Sequence, residues 1–197
     1  PEFPIRVAFM KDVALIGIDT SGVSLHKRGY RQMTVKAPIT ETLASALLML
    51  TPWKKDRILV DPFCGSGTIC IEAALMASNT APGLLKADSF AFTKLPIHKP
   101  ELWEKVKTEA QDAQKECKCR IIGWDIDPRA VEISNSNAFA ADVTDMVEFE
   151  VRDFTKTTRE DVPSQTGYIV TDPPYGVRLD SGSAAIRKLY TKMGEVI

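Results

Sequence analysis

Four short apolar segments in this chain each run into an aspartate, and longer helical patterns separate them. The acids that follow the four segments are Asp61, Asp125, Asp153 and Asp172. Buried strands that alternate with helices are typical of an α/β domain, and 197 residues with 44% hydrophobic content are enough for one core. The sequence therefore predicts a single α/β domain in which acidic side chains stand at the ends of successive strands.

The last of the four acids belongs to the run Asp172-Pro173-Pro174-Tyr175, which follows the apolar residues 168 to 170. Two consecutive prolines fix φ at about −65° and remove two backbone donors, so the run is a stiff elbow. Its carboxylate and carbonyl groups can accept hydrogen bonds from an exocyclic amino group, and its tyrosine ring can stack on the base. The motif indicates chemistry on a nucleobase amine, although by itself it is also compatible with a strand end that has no function.

A glycine-containing turn follows the first of the four strands. The run Asp61-Pro62-Phe63-Cys64-Gly65-Ser66-Gly67-Thr68 lies between the strand at residues 58 to 60 and an apolar helix pattern. Glycines allow a ligand to approach the backbone closely, and the N–H groups at a helix start favour an anionic group such as a carboxylate. The spacing matches neither the dinucleotide motif nor the phosphate loop, and Asp61 suits an amino group. We therefore predict a small-molecule site that does not bind a pyrophosphate.

The acids after the second and third strands fit a nucleoside. Asp125 stands at a strand tip, where it could accept hydrogen bonds from both ribose hydroxyls, and Asp127 precedes a proline as a helix N-cap. Asp153 could accept from an adenine amino group, with the ring of Phe154 packed beside the base. The alternative for Asp153 alone is that it serves as a cap or turn residue.

The composition excludes several classes of protein. The two histidines of the chain lie in no ligand-spaced cluster, so no metal site is predicted. Four cysteines fit a reducing cytoplasm better than a disulfide scaffold, and the sequence shows no signal peptide or membrane segment. The net charge of −1 gives no overall attraction to a polyanion, so any contact with nucleic acid has to be local.

Together these motifs resemble the Rossmann-like class of S-adenosylmethionine-dependent methyltransferases, in particular those that methylate amino groups. The run Leu25-His26-Lys27-Arg28-Gly29-Tyr30-Arg31, with the helix start at residues 37 to 44, is similar to the THUMP-associated RNA methyltransferases. Those enzymes act on the N2 amino group of guanine in ribosomal or transfer RNA. The resemblance implies a mostly parallel sheet with helices on both faces, S-adenosylmethionine as cofactor, and RNA as substrate, ribosomal RNA more than transfer RNA.

The resemblance also assigns roles to individual residues. The catalytic motif would be Asp172-Pro173-Pro174-Tyr175, with the acid and a proline-region carbonyl holding the amino group. The residues expected to contact the cofactor are Asp61, Phe63, Gly65, Ser66, Gly67, Thr68, Asp125, Ile126, Asp153 and Phe154, together with Pro38 and Thr40 at the preceding helix start.

Residues 25 to 31, called the basic segment below, are the predicted RNA contact. Within it Lys27, Arg28, Tyr30 and Arg31 would reach the RNA, and Arg178 beyond the elbow is a further candidate. The alternative, favoured about equally, is a solvated linker.

Two helix faces are predicted to be buried. A helix over residues 38 to 50 would bury Ile39, Leu43, Leu47 and Leu50, and a helix after residue 100 would bury the face that carries Trp103 and Val106. A β-hairpin is predicted before them, with its turn at residues 11 and 12.

Residues 1–36 are expected to form the hairpin and a basic linker, and residues 37–197 the methyltransferase domain. The sheet is expected to stop after the fourth strand, which would leave an exposed apolar edge that invites self-association. A THUMP-type domain outside the chain is expected to supply most of the RNA affinity. Two rival functions stay open: an amino methyltransferase acting on adenine N6 or cytosine N4 of DNA, and a cofactor-binding scaffold without activity.

Overall fold

A small antiparallel hairpin precedes the main domain. The computed structural model describes residues 3–35, 38–161, 166–175 and 183–196. Strands β1 (Ile5–Met10) and β2 (Val13–Ile18) pair through a two-residue turn in which Lys11 and Asp12 have φ of 48° and 61°. Positive φ at both turn residues matches the twist of the flanking strands. The predicted hairpin is confirmed.

The main sheet has four parallel strands. They are β3 (Ile58–Asp61), β4 (Ile121–Asp125), β5 (Val147–Val151) and β6 (Gly167–Ile169), in the spatial order β5-β4-β3-β6. The chain moves outward from β3 to β5 and then returns to place β6 on the other side of β3. Ligands of open α/β sheets bind in the crevice at such a reversal of strand order, outside the carboxyl ends of the strands.

Helices cover both faces of this sheet. The chain contains α1 (Glu41–Leu50), α2 (Thr68–Ala77), α3 (Pro100–Asp112), α4 (Pro128–Ala140) and α5 (Ser183–Val196). Neighbouring residues of a strand point to opposite faces. Leu59 accordingly belongs to the core shared with α1, α2 and α4, whereas Val60 belongs to a second core that α5 closes with Leu189 and Met193. The predicted α/β fold with helices on both faces is confirmed.

Two helix faces differ from their prediction. Helix α1 begins at Glu41 and buries Glu41, Ala44 and Leu48. Of the four predicted positions, Ile39 and Leu47 pack against the core, whereas Leu43 and Leu50 are exposed. The helix turns this way because Glu41 pairs with Arg31 of the basic segment, as described below.

Helix α3 buries none of its residues. It lies against the two short 3₁₀ segments before it, where Trp103 makes edge contacts with Phe90 and Phe92 at centroid distances of 5.8 and 4.9 Å. The apolar positions of α3 therefore serve a peripheral aromatic cluster and not the main core.

No helix within the described ranges has the length and apolar character needed to cross a membrane. The same ranges hold no group of three or more histidine, cysteine or acidic side chains arranged to bind a metal ion.

Candidate active site

The turn between β3 and α2 is shaped by two glycines. Gly65 and Gly67 both have positive φ, and Gly67 is the N-cap of α2. A Cβ on Gly67 would lie 2.8 Å from Cζ of Phe149, so no larger residue fits there without a shift. The turn thus leads directly into α2, where the first backbone N–H groups of a helix have no partner within the helix.

One cleft joins this turn to the proline elbow that follows β6. The residues around the cleft are Val35, Pro38, Ile39, Asp61, Phe63, Cys64, Gly65, Ser66, Thr68, Ile69 and Asp172. Seven of them were predicted from the sequence as site residues. Residues from the glycine turn and the acid of the elbow are therefore neighbours, although more than 100 positions separate them in the chain.

Asp61 lies buried at the base of this cleft. Its Oδ1 accepts hydrogen bonds from the Thr171 hydroxyl at 2.7 Å and from the Phe63 N–H at 3.2 Å. Burial raises the pKa of Asp61 to about 7; the two hydrogen bonds lower it, and the nearby Asp125 and Asp172 raise it further. A carboxyl group with this pKa ionises readily when a cation approaches.

Asp125 bridges the glycine turn and the start of α4. Its Oδ2 accepts from the Gly65 N–H at 2.9 Å, and its Oδ1 accepts from the Asp127 N–H at 3.0 Å. Each carboxylate oxygen keeps a second lone pair for a ligand hydroxyl. The predicted capping role of Asp127 is confirmed, because its side chain accepts from the Arg129 N–H at 2.9 Å. Ile126 is exposed beside Asp125.

The third strand end does not match its prediction fully. Asp153 Oδ1 accepts from the N–H and the hydroxyl of Thr155 at 3.0 and 2.7 Å, which is the capping alternative. Those bonds, the Thr155 hydroxyl first, lower the pKa of Asp153. Phe154 is buried in the second core, with its ring 5.3 Å from that of Phe63. The prediction that Phe154 packs beside a base is wrong, because its ring fills the core beneath the site.

The elbow residues beyond Asp172 lie at the surface of the crevice. Pro173 and Pro174 are half-buried, and Tyr175 is 50% exposed. Thr40 is exposed at the start of α1 and contributes to a different cavity, discussed below. Arg178 lies outside the described residues.

Most of the basic segment is directed into the protein. Tyr30 is 1% exposed and donates its hydroxyl to Glu72 Oε1 at 3.0 Å. The guanidinium of Arg28 is 3.6 Å from Glu72, and that of Arg31 is 3.7 Å from Glu41. The prediction of RNA contact is wrong for Tyr30, because its side chain is buried. Arg28 and Arg31 pair with buried carboxylates, which require partners in the interior.

Arg31 instead connects the basic segment with the cleft. Its Nη2 donates to the carbonyl of Ile39 at 2.8 Å and to the Thr68 hydroxyl at 2.7 Å, and both residues line the cleft. Lys27 is the one predicted RNA contact of the basic segment that is exposed.

Two buried polar residues were not predicted from the sequence. Asn137 on α4 accepts from the Gln32 N–H and donates to the carbonyls of Met33 and Ser66. Glu72 on α2 pairs with Arg28 and accepts a hydrogen bond from the Tyr30 hydroxyl, and burial raises the pKa of Glu72. A polar residue inside an otherwise buried helix face is the signal that could have identified both.

Relatives among curated proteins are similar over nearly the whole chain. The ribosomal RNA large subunit methyltransferase K/L of Shewanella woodyi is 40% identical over 98% of this chain and 27% of its own length. YpsC of Bacillus subtilis, provisionally named an RNA methyltransferase, is 42% identical over 98% of this chain and 49% of its own length. The chain thus spans a quarter to a half of the length of these relatives.

Solved structures share the fold at similar identity. SMU.472, provisionally named a methyltransferase and solved in complex with SAH, is 39% identical with a TM-score of 0.90, over 100% of this chain and 50% of that one. A protein from Listeria monocytogenes, named as a predicted N6-adenine-specific DNA methylase, is 41% identical with a TM-score of 0.88, over 98% and 49%. The family model of UPF0020, described as the RMKL-like methyltransferase domain, matches residues 28–197. Because that match covers most of the chain, the protein belongs to this methyltransferase family.

Proposed function

We propose that this chain is the catalytic domain of an S-adenosylmethionine-dependent RNA methyltransferase that modifies an exocyclic amino group, with N2 of guanine as the target. The observation that supports it most is the single cleft lined by both the glycine turn and Asp172. A cofactor site and an acid that can hold an amino group are what such a transfer needs.

The cofactor assignment draws on the solved relative with bound SAH, which is S-adenosylmethionine after loss of its methyl group. In this proposal the N–H groups at the start of α2 hold the cofactor carboxylate, and Asp61 pairs with its ammonium group. Asp125 accepts from the ribose hydroxyls. Asp153 lies on the adenine side, where its Oδ2, which is 3.6 Å from Lys156 Nζ, accepts from the amino group as well. Pro38, next to the cleft, packs against the cofactor.

The reaction is a direct displacement. The lone pair of the guanine N2 attacks the sulfonium methyl group, the carbon–sulfur bond breaks, and the sulfur keeps the electron pair. The proton on N2 then leaves to Asp172 or to water. Holding the two reactants in line can lower the barrier by roughly 7 to 11 kcal/mol, whereas a general base contributes about 3 to 5 kcal/mol. Positioning by Asp172 and the prolines therefore dominates.

The choice of RNA follows the named relatives. The Shewanella woodyi relative is named for ribosomal RNA of the large subunit, so ribosomal RNA is the favoured substrate over transfer RNA. Tyr175 is the stacking platform for an unpaired base, and Lys27 and Arg178 contact phosphates. With a net charge of −1, most of the RNA affinity comes from a THUMP-type region elsewhere in a longer protein of the cytoplasm.

The test is replacement of the elbow acid. Asp172→Ala should reduce methyl transfer to ribosomal RNA on the order of 100-fold or more, measured with radiolabelled cofactor, while calorimetry finds cofactor affinity nearly unchanged. Asp127→Asn is the matched control, because it removes an acid at another strand end and keeps a good N-cap. Equal turnover by Asp172→Ala and wild type would reject the catalytic assignment.

A second candidate target is the N6 amino group of adenine in DNA, which the name of the Listeria monocytogenes relative favours. Digestion of methylated RNA and DNA to nucleosides, followed by mass spectrometry, separates N2-methylguanosine from N6-methyladenine products. Cofactor binding without transfer to either nucleic acid would instead favour a scaffold.

Self-association through the free edge of β6 is the last part of the proposal. Among the described strands, β6 pairs only with β3 and has its other edge open. Unpaired strand edges recruit further strands. Sedimentation velocity at increasing concentration should show dimer formation that Ile169→Pro weakens, and a monomer at all concentrations would exclude it.

A further inference from the structure

A cavity of about 780 Å³ lies beside the active-site cleft. On one side it is bordered by the basic segment and the start of α1, and on the other by the 3₁₀ segment Leu84–Ser89. Its volume falls in the range of sites that hold small organic ligands, roughly 300 to 1,000 Å³. Apart from Lys27, no residue around this cavity has a role in the function proposed above.

The two walls of the cavity are in direct contact with each other. Gly29 has φ of 108°, and a Cβ there would lie 2.9 Å from the carbonyl oxygen of Leu85. Lys86 Nζ donates to the carbonyls of Val23 and Ser24 at 3.4 and 3.0 Å. Specific contacts therefore join the two walls, and the cavity is not a gap between two independent loops.

The cavity adjoins the cleft along one short stretch of backbone. Ile39 lines the cleft, and the next residues, Thr40 and Glu41, line the cavity. Arg31 also lines the cavity, and its hydrogen bond of 2.7 Å to the Thr68 hydroxyl reaches a residue of the cleft. Residues 39 and 40 therefore mark the boundary between the cleft and the cavity.

The lining combines apolar and basic side chains, and its acids are Glu41, which pairs with Arg31, and Asp88, which is exposed. Leu84 and Val23 supply apolar surface for a base, and Lys27, at the exposed rim beside His26, can meet a phosphate. Lysine binds a phosphate as a point charge, and apolar side chains can pack against the face of an unstacked base. A nucleotide satisfies both features at once.

We propose that this cavity holds the nucleotide next to the target guanine in a single-stranded stretch of RNA. The proposal rests on the proposed function and extends it, because it assigns a second base position to residues 84–89. The neighbouring base lies against Leu84 with its phosphate at Lys27, so the target is presented with its backbone already splayed. Recognition of unpaired RNA by separated, individually held bases follows the general behaviour of RNA-binding sites.

The test uses a single-stranded oligoribonucleotide with one guanine and two versions with an abasic residue on its 5′ or its 3′ side. With wild-type chain, one abasic version should raise KM about fivefold or more while kcat stays unchanged. Ala87→Trp, which fills the cavity, should raise KM for the intact oligonucleotide by a similar factor. In this variant the abasic residue should cause no further change in KM. Ala113→Trp, at an exposed position at the end of α3 outside the cavity, is the size-matched control and should behave as wild type.

A second experiment tests the phosphate contact of Lys27, which this inference shares with the proposed function. Lys27→Glu should weaken RNA binding and lower the slope of log Kd against log salt by about 1, whereas Lys94→Glu, exposed on a neighbouring segment outside the cavity, should not.

Equal KM for all three oligonucleotides, or wild-type KM in Ala87→Trp, would overturn the inference and leave the proposed function intact. Failure of the wild-type chain to bind cofactor or to methylate any RNA would reject the proposed function and this inference with it.

Discussion

Asp61 links the residue after β6 to the end of β3, and it also lines the candidate active-site cleft. Its carboxyl group is buried, holds the Thr171 hydroxyl of the strand-β6 end, and has a pKa raised by burial to about 7 against an ordinary value of 3.8. The ionisation of such a group responds to a bound cation, and it makes the free energy of unfolding depend on pH.

Cofactor binding should release protons through Asp61. At pH 6.5 most of the free protein carries a protonated Asp61, and pairing with the cofactor ammonium group ionises it. Calorimetry in buffers of different ionisation enthalpy should therefore find a substantial fraction of a proton released per cofactor. Asp61→Asn should bind more weakly and release none from this site. Proton release that is the same in both proteins would show that another group titrates.

Stability of the free chain should fall as pH rises through the same range. Because the folded pKa lies above the unfolded one, the folded state holds more protons between about pH 4 and pH 7. The contribution of Asp61 is thus complete below pH 4 and lost by pH 7, with a magnitude of a few kcal/mol. Urea unfolding at pH 5 and pH 8 should show that the free energy of unfolding falls less in Asp61→Asn than in the wild type. An equal fall in the two proteins would contradict the burial of this group.

Tyr30 should matter for stability and not for RNA contact. Its hydroxyl donates to the buried Glu72, so Tyr30→Phe leaves a carboxylate oxygen with one partner fewer. The expected cost is about 1 to 3 kcal/mol in free energy of unfolding. Tyr190→Phe is the matched control, since Tyr190 is 44% exposed on α5, and it should change little. Equal losses in the two variants would argue against the buried bond.

On the scale of elements, the start of α2 has the least freedom to change. Gly67 combines positive φ with a backbone packed against Phe149, so the geometry of the glycine turn depends on the absence of a side chain. The turn also fixes where α2 begins, and with it the N–H groups of the first turn of that helix.

Gly67→Ala should therefore lower stability by several kcal/mol or abolish cofactor binding, because the new Cβ would lie 2.8 Å from Phe149 Cζ. Gly194→Ala is the control within α5, where nothing lies within 4 Å of the new Cβ. It should stabilise the helix by roughly 0.5 to 1 kcal/mol. Thermal unfolding with and without cofactor measures both, and a harmless Gly67→Ala would contradict this account of the turn.

Element ends were more predictable from the sequence than element faces. An aspartate directly after an apolar run identified Asp61, Asp125 and Asp172, because strand end and acid are adjacent in the chain. The buried face of α1 and the interior course of Arg31 were missed, since they depend on ion pairs between the basic segment and carboxylates of two helices, Glu41 on α1 and Glu72 on α2. Local periodicity carries no information about such partners.

On the scale of the whole molecule, stability resides in the sheet and its helices. One face of the hairpin consists of Ile5, Val7, Phe9, Ala14, Ile16 and Ile18, and every residue of both hairpin strands is exposed. In the described part of the chain, the two strands contact mainly each other. A two-stranded hairpin contributes little by itself.

Phe9→Ala should accordingly change the free energy of unfolding by no more than about 0.5 kcal/mol. Leu48→Ala in α1 should cost about 2 to 5 kcal/mol, because Leu48 is 2% exposed in the core. Urea denaturation followed by circular dichroism compares the two variants. A large loss in Phe9→Ala would mean that the hairpin packs against a surface in solution.

The position of β6 beside β3 also has a consequence for folding. The bond between Thr171 and Asp61 spans 110 residues, so the crevice forms only after a long loop has closed and two distant parallel strands have paired. Pairing of this kind is slow, since the entropy of loop closure is lost before any contact compensates for it. During synthesis, the segment up to residue 161 can collapse around β3, β4 and β5 while the cleft does not yet exist. Ligand affinity should therefore be among the last properties that a refolding chain acquires.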